Sequence, residues 1–225
     1  MLNGVVSMVN KDIESFIREE FKTGIVREKL FPMMTKFGVR DYSETVHSLG
    51  LNYITAIGRE FNEVVSLSEY PVYPHVAIKG YNEFKIAENN EVYGVSKANI
   101  ISQVRPDSVW FDKFENTPVL ICEFERYENN RRKDKMLKEK IQNLLVAYHQ
   151  LGSNVPYILF VYWSYSGIAA EGISEYISIL DDGFKTSDGK NVAGINSRRT
   201  KYLVYHAIAK GNKENLTINQ WVSIR

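Results

Sequence analysis

Thr117-Pro-Val-Leu-Ile-Cys-Glu-Phe-Glu-Arg126 decides how the chain is read: an apolar run of strand length that ends in two carboxylates, Glu123 and Glu125. Side chains alternate along a strand with period two. Val119, Ile121, Glu123 and Glu125 therefore share one face, and Leu120, Cys122 and Phe124 share the other. Both faces are apolar for most of the run, which predicts a central strand buried on both sides. The glutamates close one face about 7 Å apart, at roughly 3.3 Å per residue. Solvation at the strand end, or pairing with Arg126, Arg131 or Arg132, accounts for two glutamates alone. A divalent cation accounts for them equally. A third carboxylate tips the balance toward the cation: Asp107, in Arg105-Pro106-Asp107, opens the neighbouring apolar segment.

Working outward, residues 100–111 read as a strand that Pro106 makes irregular, and residues 112–117 as the turn of a hairpin with the strand ending at Glu125. Residues 127–134 form a charged connection. Lys135 to Gln150 is a helix whose apolar stripe is Leu137, Ile141, Leu144, Leu145 and Tyr148, beside a polar stripe of Lys135, Lys138, Gln142 and His149. Gly152 closes it. Tyr157 to Trp163 is again apolar on both faces and strand-like, and a strand, helix, strand succession implies a parallel crossover.

Upstream, residues 1–10 are a loose start. Lys11 to Lys22 is helical, residues 27–37 form a short helical piece interrupted by Pro32, and a longer helix capped by Asp41 or Ser43 runs to about Phe61. Glu60 near its end is a surface charge or is aimed at the acids. Residues 64–67 and 72–78 are extended pieces, and Glu88 to Glu91 is a polar turn. Downstream, residues 167–180 are helical, residues 181–197 turn-rich and residues 216–224 a strand. Residues 201–209 fit strand or helix. The class is α/β (α+β), with a mixed sheet in helix-strand-strand-strand-helix-strand order. A single domain covers 1–225: a helical lead to residue 40, a core at 41–165 and a C-terminal decoration at 166–225.

Composition excludes several classes. At 44% hydrophobic and 24% charged residues the chain is ordinary for a soluble globular protein, and no apolar run reaches membrane-span length. A single cysteine cannot form an internal disulfide, so a reducing, cytoplasmic setting is expected, with Cys122 a buried small hydrophobe. A net charge of +1 means that any nucleic-acid partner must meet a local patch. Phosphate-binding Gly-rich loops, dinucleotide fingerprints and a serine-nucleophile elbow are missing. The four histidines are scattered and are expected to be structural or on the surface. The acids remain, and hard oxygen ligands of this kind suit Mg²⁺ or Mn²⁺.

Arg105-Pro106-Asp107, then Glu123-Phe124-Glu125, then the helix at 135–150 resemble the PD-(D/E)XK nuclease superfamily over roughly residues 41–165. The resemblance implies a restriction-endonuclease-like fold and a Mg²⁺-dependent endonuclease that hydrolyses DNA, with RNA open as a substrate and a homodimer compatible with cutting both strands. It implies Asp107, Glu123 and the Phe124 carbonyl as metal ligands. Glu125 stands where that superfamily carries its catalytic lysine. Some restriction endonucleases also have Glu-x-Glu at this point, and in other branches a lysine of the next helix takes the role, for which Lys138 or Lys135 is the candidate here. Gln142 is similar to a helix glutamine of recombination-type members. The basic run Arg131, Arg132, Lys133 and Lys135 is either a solvated helix start or a contact to phosphates. The alternative on the same fold is a non-catalytic nucleic-acid-binding or assembly module without metal.

Overall fold

The computed structural model describes residues 3–42, 44–72, 76–79, 83–86, 104–187, 189 and 191–225; for residues 3–12, 76–79 and 83–86 only the backbone element is given. His75, the turn at 88–91 and residues 100–103 of the expected strand lie outside the described residues.

Helix α1 spans Asn3–Thr23, α2 Ile25–Leu30 and α3 Thr45–Arg59, with a π-helical turn at Met33–Phe37. Strands β1 (Val64–Ser68), β2 (Val76–Lys79), β3 (Glu83–Ile86), β4 (Ser108–Asp112) and β5 (Pro118–Arg126) lead to α4 (Arg131–Gln150). The chain continues through β6 (Tyr157–Tyr165), α5 (Ile173–Asp182), β7 (Phe184–Lys185), β8 (Asn191–Val192), β9 (Lys201–Asn212) and β10 (Asn215–Ser223). Residues 3–10, expected to be loose, extend α1 instead. Residues 201–209 are strand.

Six strands make one mixed sheet in the order β1-β4-β5-β6-β9-β10. The β1/β4, β4/β5 and β9/β10 pairs are antiparallel, and the β5/β6 and β6/β9 pairs are parallel. The α4 crossover between β5 and β6 is what allows the first parallel pair. Residues 166–225 are therefore not decoration: they supply two strands of the main sheet. The helical lead packs into the same core, with Ile13, Ile17 and Phe21 buried.

The sheet is buried on both faces. Ile121, Ile158, Phe160 and Val204 pack with Leu137, Ile141, Leu144 and Leu145 of α4. Leu120, Cys122, Phe124, Leu159 and Val161 pack with Ile17 of α1 and Val46, Tyr53 and Ile57 of α3. Each fully buried aliphatic side chain contributes about 1.5–3 kcal/mol. The alternation expected along 119–125 holds except at Val119, which lies with Leu120 in the cluster on the α1/α3 face. The β4/β5 register skips there, from Trp110 opposite Leu120 to Phe111 opposite Pro118, so one extra residue re-aims the strand. Cys122 is fully buried, and burial pushes its thiol well above the ordinary range, as expected of a packing residue rather than a nucleophile. Among the described residues no helix is long and apolar enough to cross a membrane.

Candidate functional site

The three carboxylates picked out in the sequence converge. Ser108 pairs with Cys122, so Asp107 stands beside the C-terminal half of β5. The Phe124 N–H donates to Asp107 Oδ2 at 2.7 Å, which ties the acid to that strand. Asp107 is 4% exposed and Glu123 1% exposed, an arrangement that needs a cation. Burial first, and the neighbouring Asp107 second, push the Glu123 carboxyl well above the usual carboxylate range.

The protein's own cation here is Lys140. Its Nζ donates to Glu123 Oε2 at 2.7 Å and lies 4.0 Å from both Asp107 Oδ1 and Glu125 Oε2. Burial alone would lower the Lys140 pKa, but the charges of Glu123 and Asp107, with the Glu123 hydrogen bond, outweigh it and raise the pKa. The amine that meets the acids thus belongs to Lys140, not to Lys138. At roughly 100° per residue, Lys133, Met136 and Lys140 flank one side of the Leu137–Ile141–Leu144 stripe, while Lys138, Gln142 and Lys135 flank the other. The first flank lines the cleft that holds the acids, a space of about 540 Å³. Lys135 points out of it, 3.3 Å from Glu139.

The basic run is not a loop before α4 but its first turn, because Asn130 caps the helix by accepting from the Lys133 N–H at 3.0 Å. That start divides the run. Arg132 and Lys133 line the cleft, Lys133 Nζ lying 3.7 Å from Glu125 Oε1, whereas Arg131 and Gln142 are not among the lining residues. Arg126 leaves β5 on the face opposite Glu125. Asp41 and Glu128 hold its guanidinium at 2.9 and 2.7 Å, and it sits 5.1 Å from the centre of the Trp163 ring.

Two further groups join the site from afar. His47 on α3 reaches Asp107 because α3 lies unusually close to β5: a Cβ on Gly50 would come within 2.2 Å of the Phe124 ring. His47 Nδ1 is 2.9 Å from the Phe124 carbonyl. A carbonyl only accepts, so Nδ1 carries the hydrogen and the other ring nitrogen is aimed elsewhere. That nitrogen, Nε2, faces Asp107 Oδ1 at 3.6 Å. A neutral imidazole would set a lone pair against a carboxylate oxygen, which a proton on Nε2 or a cation between them resolves. The Phe124 carbonyl, expected to face a metal, is engaged by His47. Glu69, just past β1, completes the group: ligand atoms of His47, Glu69 and Asp107 all lie within 4.8 Å of one another. Glu69 has a left-handed backbone (φ 53°), and its N–H donates to the Asp107 carbonyl at 2.9 Å. Arg105 Nη1 stands 3.4 Å from Glu69 Oε2. Glu60 terminates α3 at the end remote from His47, about 20 Å along the helix at 1.5 Å per residue, and takes no part.

The Glu69 and Asp107 carboxylates and the His47 imidazole make a donor set that could hold a divalent cation with positions left for other ligands. No protein-family model, curated protein or solved structure matches the chain.

Proposed function

We propose that this protein is a metal-dependent nuclease hydrolysing phosphodiester bonds, with DNA as its first expected substrate. The observation that carries this reading is the cleft lined by Asp107, Glu125, Lys140 and His47, with the buried Glu123 bonded to Lys140 and the His47 Nε2 facing the Asp107 carboxylate. The mixed α/β architecture, a six-stranded mixed sheet flanked by helices, is in keeping with it.

In this reading Asp107, His47 and Glu69 hold one Mg²⁺ or Mn²⁺, with Glu123 as a further ligand. A bound ion would neutralise charge on the phosphate and make a bound water more acidic. Lys140 supplies the amine that the Glu-x-Glu sequence lacks, positioned to hold a water or a phosphate oxygen. Glu125, between Lys133 and Lys140, is the candidate proton acceptor or the ligand of a second ion. Arg132 and Lys133 contact phosphates of the bound strand.

The alternative, a non-catalytic binding module, is favoured by one observation: Lys140 already neutralises Glu123. Cleavage of supercoiled plasmid, single-stranded DNA and RNA with Mg²⁺, Mn²⁺ or EDTA separates the two. The nuclease predicts cutting that needs the metal and disappears in Asp107→Asn and Lys140→Met proteins that keep the wild-type circular dichroism. Folded wild type that binds nucleic acid and cuts none of these substrates with either metal would leave the module.

A further inference from the structure

Three acids of the site are parked on cations of the chain. Glu123 is held by Lys140 at 2.7 Å, Glu125 by Lys133 at 3.7 Å and Glu69 by Arg105 at 3.4 Å. All three cations line the same cleft. Phosphodiester binding needs cations free to face phosphate oxygens. In this state Arg105, Lys133 and Lys140 are spent on the site's own carboxylates, and a polyanion approaching the cleft meets Glu69, Asp107 and Glu125 as well.

We propose that the metal ion, besides any role in chemistry, is the switch that turns this cleft into a phosphate-binding surface. The proposal rests on the nuclease reading. A divalent ion taken up by the carboxylates replaces their internal partners, and Arg105, Lys133 and Lys140 are released toward the strand. Binding is therefore ordered, metal first and nucleic acid second, and the coupling is reciprocal, since bound nucleic acid tightens the metal by the same factor. The exchange is easiest at the rim, where Arg105 and Glu69 are both more than half exposed and their ion pair is weak. Free divalent ions in solution ordinarily act the other way: they compete for phosphates and loosen such complexes. The sign of the metal effect is thus diagnostic.

The test measures affinity for a short fluorescein-labelled, single-stranded phosphorothioate oligonucleotide, which keeps its charge and resists hydrolysis. Anisotropy titrations run across a range of NaCl, with Mn²⁺ and with EDTA, while calorimetry with Mn²⁺ alone reports metal uptake. We expect tighter binding with Mn²⁺. The slope of log affinity against log salt should steepen by roughly 0.7 for each cation set free, about 2 for all three. Arg105→Gln and Lys133→Gln, at exposed or half-buried positions where folding is undisturbed, should each remove about 0.7 from that increment. Asp107→Asn should remove the metal effect altogether. If Mn²⁺ binds and unmodified DNA is cut, yet the slope and affinity are unchanged or weaker with Mn²⁺, the switch is wrong and the nuclease stands. If calorimetry detects no Mn²⁺ uptake and nothing is cut, the nuclease falls and the switch with it.

Discussion

Two glutamates of this protein are almost equally buried, Glu20 at 2% exposure and Glu123 at 1%, and they lead opposite lives. The Glu20 carboxylate accepts from the Val26 N–H at 2.9 Å, the Arg27 N–H at 3.0 Å and the Tyr53 hydroxyl at 2.7 Å. Three neutral donors, two at the start of α2 and one on α3, satisfy it. Glu123 instead faces a second buried carboxylate and one lysine, which itself lines the open cleft. Burial by itself does not mark a functional acid. What distinguishes Glu123 is that it and Asp107 share one positive charge, whereas Glu20 is satisfied by hydrogen bonds.

Substitutions can break or sharpen this contrast. The largest expected loss of stability is at Glu20. Glu20→Ala strands three buried donors at about 1–3 kcal/mol each, and denaturant unfolding should show a loss of roughly 4 kcal/mol that Mn²⁺ does not restore. Lys140→Met should cost about 3 kcal/mol without metal, less than full exposure of a buried ion because Glu123 can take up a proton, and added Mn²⁺ should recover most of it. Equal behaviour of the two variants toward Mn²⁺ would erase the distinction. His47→Gln should lower Mn²⁺ affinity about ten- to a hundredfold in calorimetry, with little change in metal-free stability, if His47 is a ligand as proposed.

The smallest effect is in pH. His149, held by Ser153 and the Ala193 carbonyl, and His206, held by Ser164, both have pKa values lowered by burial. Their folded-state pKa values lie below the ordinary imidazole value of 6.5, so the unfolded chain takes up protons first as the medium is acidified. The stability they contribute is complete above pH 6.5 and is lost as pH falls from there through their folded-state pKa values. Melting temperatures should fall over that range, and His149→Gln should flatten the fall.

The outline of the site was legible where a strand-like alternation carries the information: β5 was readable from Leu120 to Glu125, and Asp107 from its place before the next apolar segment. The amine was not. Periodicity marks the apolar stripe of α4 and two polar flanks, but not which flank meets the end of β5, so Lys138 was drawn from one side while Lys140 occupies the cleft from the other. His47 left no local mark either, lying on a separate helix sixty residues before Asp107. Only the close seat of α3, permitted by Gly50 against Phe124, brings its ring to the acids. Glu69 depends on the turn that leaves β1.

The sequence by itself determined the α/β class, the doubly buried strands, the long amphipathic helix and the three carboxylates, because alternation and helical spacing are properties of a short segment. The tertiary structure alone decided which cations those carboxylates meet and that a histidine stands among them. Those are distances between segments, set by how helices seat on the two faces of a sheet, and no local period encodes them.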